Sequence, residues 1–182
     1  MIGSITPAGV LVTEKAVSTS FELASGITVG PDGTLWFTDF GGNEIGRITP
    51  AGMITWFDMP SSARFPTDIT AGPDGDLWFT LNSGQIGRMT VQGAFTLFAL
   101  PLWQDQFGRM NKEIPWAITM GPDGNLWFSG VQGIGRITPK GSITEISTPP
   151  LGSGIELTAG PDDAIWFTDP PDNWIGRIRL GG

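Results

Sequence analysis

Cysteine, histidine and tyrosine are all missing from this 182-residue sequence. Without cysteine there are no disulfides, thiolate metal sites or cysteine nucleophiles. Without histidine the usual acid/base of neutral pH, and the commonest metal ligand, is gone. Any catalysis would have to run on carboxylates, lysine, arginine or hydroxyls. Charge is sparse too, at 15% of residues, and the only lysines are Lys15, Lys112 and Lys140. The arginines are dispersed, so no basic patch offers itself to a phosphate backbone. A net charge of −8 argues further against nucleic-acid and anionic-membrane partners. No apolar run approaches the length of a membrane-spanning helix. The opening MIGSITPAGV has neither a basic n-region nor an apolar h-region, so no secretory leader is expected. The chain reads as acidic and soluble, with its compartment undetermined.

What is present in quantity is glycine (27), proline (15), phenylalanine (11) and tryptophan (8), within a 40% hydrophobic composition. That apolar and aromatic content argues for a packed core and against disorder. The tetrapeptide GPDG begins at Gly30, Gly72 and Gly121, and a degenerate GPDD begins at Gly160, giving spacings of 42, 49 and 39 residues. Each copy runs into an apolar strand: Leu35–Thr38, Leu77–Thr80, Leu126–Ser129 and Ile165–Thr168. An IGR[IM] strand follows at Ile45, Ile86, Ile134 and Ile175, then a TPAG-type turn and a fourth strand such as Met53–Phe57.

Pro-Asp-Gly is hairpin-turn chemistry, with Pro presetting φ and Gly accepting φ > 0. The LWFT strand is apolar on both faces, which fits four-stranded sheets stacked face to face around an axis. A period of about forty residues with four strands predicts an all-β β-propeller of four-stranded blades, four repeats per chain. The sequence reads as a single propeller domain over residues 1–182, with repeat signatures at 30–49, 72–90, 121–138 and 160–178 and a partial blade at 1–16.

Repeats of the form GITxGPDGxLWFT…IGRITPxGxITEF resemble those of the virginiamycin B lyase (streptogramin lyase) family of β-propellers. The resemblance covers nearly the whole chain. It implies a seven-bladed ring in a single chain, and a lyase that opens a cyclic depsipeptide by elimination. The resemblance further implies a histidine base just ahead of an inner strand and a magnesium ion held by carboxylates. The matching inner-strand positions here are Gly26, Asp68, Ala117 and Glu156, and the carboxylate that ends the LWFT strand is matched by Asp39 and Asp169. With no histidine anywhere, the reading favoured is a non-catalytic scaffold or ligand-binding half-propeller, with no catalytic residue assigned and no cofactor required. A diverged magnesium-dependent lyase using Glu156 as a carboxylate base is the alternative. A carbohydrate-binding propeller stacking sugars on Trp103, Trp116 and Trp174 is the second.

Several clusters are candidates for a site. Asp68 and Glu156 occupy equivalent repeat positions and should face the channel mouth two blades apart. With Asp39, Glu44, Asp169 and Asp172 they form an acidic rim suited to magnesium or calcium, Asp39 and Asp169 being the metal-ligand candidates. The stretch Pro101–Pro115 is an insertion; its Trp103 and Arg109, with the adjacent Trp116, are candidate ligand-binding residues. Asp32, Asp74, Asp123 and Asp162 are expected to cap their own turns. Arg47, Arg88, Arg136 and Arg177 recur once per blade and are expected to hydrogen-bond between blades.

The ends complete the expectation. Ile2–Thr6 repeats a third strand and Val10–Glu14 a fourth, while the last blade ends on a third strand. Val10–Glu14 is therefore expected to complete that last blade, leaving Ile2–Thr6 surplus. Four family-type wedges do not close a ring, so two copies paired head to tail are expected to form an eight-bladed homodimer. A four-bladed monomer and a longer parent array are the alternatives.

Overall fold

The computed structural model describes residues 2–15, 24–146, 148, 154–170 and 172–180, excepting the side chains of 5 and 11–15. Regular structure among them is entirely β. An N-terminal hairpin pairs β1 (Ile2–Ile5) with β2 (Leu11–Lys15). Blade 1 is the sheet β3 (Ala24–Val29), β4 (Leu35–Asp39), β5 (Glu44–Ile48) and β6 (Ile54–Asp58). Blade 2 follows as β7 (Pro66–Ala71), β8 (Leu77–Leu81), β9 (Gln85–Met89) and β10 (Phe95–Ala99). The insertion is a separate hairpin, β11 (Leu102–Gln104) with β12 (Met110–Lys112). Blade 3 is β13 (Pro115–Met120), β14 (Leu126–Gly130), β15 (Gly133–Ile137) and β16 (Ile143–Ile146). Blade 4 holds β17 (Leu157–Ala159), β18 (Ala164–Asp169) and β19 (Trp174–Arg179). Every sheet is antiparallel and in simple sequence order.

The core lies between the sheets. Trp36 and Ile45 of blade 1 pack on Ile69, Leu77, Phe79 and Met89 of blade 2. Trp78 and Ile86 of blade 2 pack likewise on Ile118, Leu126 and Phe128 of blade 3. Trp127 and Ile134 then meet Ile155, Ile165 and Phe167. In each layer the Trp of LWF faces the next blade and the Leu/Ile and Phe face the previous one, so the whole strand is apolar. Glycine of the IGR strand is required here: a Cβ at Gly46, Gly87, Gly135 or Gly176 would collide with the Phe ring of its own blade.

The GPDG turns bind a small polar module as well as reversing the chain. In each blade the Asp carboxylate accepts the indole N–H of its Trp, at 3.0 Å for Asp32–Trp36 and 2.8 Å for Asp162–Trp166. The blade's Arg lies over that indole, 5.2–5.8 Å from the ring centre, and pairs with the same Asp. The arginines thus serve mainly their own blade; Arg88 also donates to the Pro139 carbonyl of the next one, at 3.1 Å.

The hydroxyl that ends each LWF[TS] strand supplies the direct link between blades. Thr38 accepts the Gly26 N–H at 2.8 Å and donates to the Thr67 carbonyl at 3.0 Å. Thr80 does the same between Asp68 N–H and Trp116 C=O (3.0 and 2.9 Å), and Ser129 between Ala117 N–H and Ile155 C=O (3.2 and 2.8 Å). All three hydroxyl residues are buried. Each satisfies a backbone group at the bulge where the inner strand departs from regular pairing.

At the N-terminus the arrangement differs from the expectation for Val10–Glu14. β2 is paired with β1, five residues away through the Thr6–Val10 turn, because a local hairpin closes at far lower entropic cost than a distant pairing. Ile2 packs against the Phe37–Ile48 cluster, as Ile54 and Trp56 do, so the hairpin covers the outer part of blade 1's leading face.

Candidate functional site

The inner strands stand side by side, β3 against β7, β7 against β13 and β13 against β17. Their first residues converge where the hydroxyl links are made. Asp68 sits in the middle of this row. Its Oδ2 accepts the Ile118 N–H of the next blade at 2.8 Å, and its Oδ1 accepts the N–H of Ile69 at 2.8 Å. A Cβ on Gly26 would lie 2.8 Å from both the Cα and Oδ1 of Asp68. The bare glycine of blade 1 therefore makes room for the carboxylate of blade 2. Burial pushes the Asp68 carboxyl above its ordinary range, and the two N–H donors offset part of that.

Glu156 is exposed at the corresponding place in blade 4. Its carboxyl is also pushed up, first by burial of its inner part and then by the negative charge of Asp68. The two carboxylates are thus brought within electrostatic reach across the row. Their chemistry differs: Asp68 is committed to two backbone donors, while Glu156 is open. Thr168 beside it accepts the Glu156 N–H at 3.2 Å and is exposed at the end of the array.

The rim carboxylates divide. Asp39 is buried at the end of β4, where its Oδ1 accepts the Gly42 N–H at 2.9 Å and caps the β4–β5 turn. Asp169 holds the matching place in blade 4 and is likewise buried. Blade 3 has Gly130 there, and the insertion compensates: Glu113 reaches back so that its Oε1 accepts the Gln132 N–H at 3.0 Å. Glu44 pairs in register with Asp39 at the start of β5, and Asp172 is exposed. Among the described residues no group of three or more carboxylates lies close enough together to hold a metal ion.

The insertion residues lie apart from Asp68. Arg109, 72% exposed by its side chain, is held by Asp105 at 2.7 Å and stacks over Phe107. Trp103 donates to the Lys112 carbonyl across its hairpin at 3.3 Å. Trp116 is half-buried against the layer between blades 3 and 4, and Trp174 meets Phe167 edge-on. The three tryptophans proposed as sugar platforms occupy three different sheets.

One feature of this loop face is absent from the sequence reading. Phe40, in the β4–β5 turn, and Phe65, just ahead of β7, stack at 5.1 Å with planes 26° apart. Phe65 has φ of +60°, a left-handed conformation that is costly for an aromatic residue preceding proline. It is held by an Asn43 bridge: Asn43 Oδ1 accepts the Phe65 N–H at 2.9 Å, and its Nδ2 donates to the Ala63 carbonyl at 3.1 Å. Strain of this kind clusters at ligand-contacting positions. The Phe65-Pro66 dipeptide was its only sequence signal.

Stacked four-stranded sheets with convergent inner strands define a β-propeller-type protein whose functional residues would gather at the inner-strand starts. The chain belongs to the virginiamycin B lyase family, whose model matches residues 1–106 and 103–182. A virginiamycin B lyase of Bordetella parapertussis is 42% identical over 56 residues, 31% of this chain and 19% of that protein. The crystal structure of a catalytically inactive histidine-to-alanine variant of the Staphylococcus aureus virginiamycin B lyase, with quinupristin, superposes with a TM-score of 0.83 at 40% identity. It covers 96% of this chain and 58% of the other. The selenomethionine form of the S. aureus enzyme gives a TM-score of 0.80 at 35% identity, covering 98% and 62%. The chain thus spans about three-fifths of the length of these solved relatives.

Proposed function

We propose that this chain is a ligand-binding part-propeller of the virginiamycin B lyase family that does not itself catalyse ring opening. One observation carries the reading: the sequence has no histidine, and the carboxylate at the centre of the row, Asp68, is tied to the N–H groups of Ile69 and Ile118. A base so tied has little freedom to take a substrate proton, and a positioned general base contributes about 10²–10⁴-fold. The S. aureus relative is described as catalytically inactive once a single histidine is replaced, yet that variant was crystallised with quinupristin. Binding and bond cleavage are therefore separable in the family. The Phe40–Phe65 stack, in which the strained Phe65 is 41% exposed and lies three residues ahead of Asp68 in the sequence, offers a hydrophobic platform for such a ligand.

The test is calorimetric titration of the purified chain with quinupristin, with and without magnesium, followed by mass spectrometry of the ligand. Saturable binding, weakened by Phe65→Ala, with intact cyclic ligand recovered, is expected. Absence of binding, or accumulation of linear product, overturns the proposal. A diverged lyase is the second reading, favoured by the open, raised carboxyl of Glu156; linear product lost in Glu156→Gln would establish it.

We propose further that two copies join head to tail. The leading face of blade 1 leaves Ile27 (53%), Val29 (61%) and Leu35 (39%) exposed, whereas Ile69, Leu77, Ile118 and Leu126 are buried. The trailing face of blade 4 leaves Ile175 68% exposed, whereas Ile45, Ile86 and Ile134 are buried. These are the two faces that pack on one another at every internal junction.

A further inference from the structure

Blade 3 lacks a contact that the other blades make. In blade 1 the Phe of LWF meets an aromatic ring edge-on, Phe37 with Trp56 at 5.3 Å. Phe79 meets Phe95 at 6.2 Å and Phe167 meets Trp174 at 5.5 Å. Phe128 has no aromatic partner among the described residues. The strand position opposite the IGR glycine, filled by Trp56 in blade 1 and Leu97 in blade 2, is Glu145 in blade 3. Where the bulky side chain would have packed there is a pocket of about 400 Å³ beside Phe128 and Ile146.

The pocket is strongly acidic. Glu113, only 4% exposed, lines it. Its Oε1 is engaged by the Gln132 N–H, but its Oε2 is buried with no hydrogen-bond partner. Thr148 contributes a second unpartnered buried oxygen. Burial pushes the Glu113 carboxyl up; the Gln132 N–H offsets part of this, and the negative charge of Glu145 adds to the rise. Neither glutamate forms an ion pair among the described residues, where every ion-paired arginine is matched to an aspartate. A buried carboxylate oxygen without a partner is costly, and a bound cation would satisfy it.

We propose that this pocket binds an organic ammonium, a primary amine carried on an apolar or aromatic body. Two carboxylates and a hydroxyl serve the three N–H donors of an ammonium. Phe128 and Ile146 supply the wall for the attached body, in the ring position that Trp56 fills in blade 1. A bare metal ion fits less well: the volume is that of a small-molecule site, and hard cations demand more oxygen ligands than two carboxylates and a hydroxyl provide. The site is separate from the inner-strand row and independent of the function proposed there.

The experiment is a titration of the whole chain with 2-phenylethylamine, read by calorimetry and by chemical shifts of Glu145 and Phe128. The neutral isostere 2-phenylethanol and magnesium chloride are the comparison ligands. Saturable binding of the amine is expected, with the alcohol at least about tenfold weaker, the loss expected when a charge-assisted hydrogen bond becomes a neutral one. Glu145→Gln should weaken the amine about tenfold, and Glu145→Trp, which refills the vacancy on the blade 1 pattern, should abolish binding while keeping the fold. Because Glu113 also caps a turn, the Glu145 variants carry the test. Equal binding of amine and alcohol, preferential binding of magnesium, or amine binding unchanged in Glu145→Trp overturns the proposal.

Discussion

Thr80 has no hydrogen-bonding capacity to spare. Its Oγ1 accepts the Asp68 N–H, donates to the Trp116 carbonyl and lies 2.7 Å from Thr67 Oγ1. Valine has the same shape and none of this chemistry, so Thr80→Val would bury the Asp68 N–H without a partner and leave the Trp116 carbonyl to the Thr67 hydroxyl alone, at 3.2 Å. The expected cost is about 1–3 kcal/mol, measured by urea unfolding. Thr168→Val removes the matching group from blade 4, where the residue is exposed, and should cost no more than about 0.5 kcal/mol. Equal losses at the two sites would show that the hydroxyls do not link blades. These hydroxyls were visible in the sequence as a Thr or Ser closing each LWF run, a polar atom in a strand read as buried on both faces. That mismatch is the signal for a blade-to-blade link, which the once-per-blade recurrence of arginine draws away from the hydroxyls. The guanidinium groups sit over the indoles of their own blades because the turn aspartate there offers a carboxylate within reach.

The strands and turns were legible because each is specified locally. Gly33, Gly75 and Gly124 take φ of +73°, +80° and +72°, as the Pro-Asp-Gly sequence predicts. The degenerate fourth turn keeps the geometry without the glycine: Asp163 is held at φ of +53°. A left-handed conformation costs a residue with a Cβ about 1–2 kcal/mol, and glycine's larger unfolded-state entropy returns part of that. Asp163→Gly should therefore stabilise the chain by about 0.5 kcal/mol, raising Tm by about 1–2 °C, read by calorimetry; a lower Tm would contradict it. The turns of blade 3 were less legible. Gly130 omits the carboxylate that Asp39 supplies to its own turn, and the substitute, Glu113, comes from the far side of the inner strand. No local pattern connects residue 113 to a turn at 131–132, since only the folded insertion brings them together. Asp39, matched through the family resemblance to a metal-holding carboxylate, caps its own β4–β5 turn through the Gly42 N–H, and Asp169 is buried at the matching place in blade 4.

The whole molecule has two apolar ends and one hairpin between them and closure. Within the chain, each Trp-bearing face is covered by the next blade, and Trp36, Trp78 and Trp127 are buried. The outermost faces, with Ile27, Val29 and Leu35 at one end and Ile175 at the other, repeat the two halves of that contact without a partner. Exposed apolar faces of this kind mark association surfaces. A head-to-tail pair about a two-fold axis uses the same junction twice and closes, giving eight blades at about 45° each, near the wedge of about 51° in a seven-bladed ring. The hairpin sets the condition. β1 and β19 both have the sequence of a third strand, and only one can hold that place at the junction. For β2 to complete the blade of β17–β19 in the partner copy, it must leave β1. Deleting Ile2–Thr6 should therefore free β2 and strengthen the dimer, whereas deleting residues 1–16 removes the closing strand and should leave open edges that aggregate. Light scattering is expected to give twice 19.4 kDa for the intact chain. Dilution should dissociate the intact chain at a higher concentration than the Ile2–Thr6 deletion. A monomer of 19.4 kDa that both deletions leave unchanged would show that the exposed faces do not meet between copies.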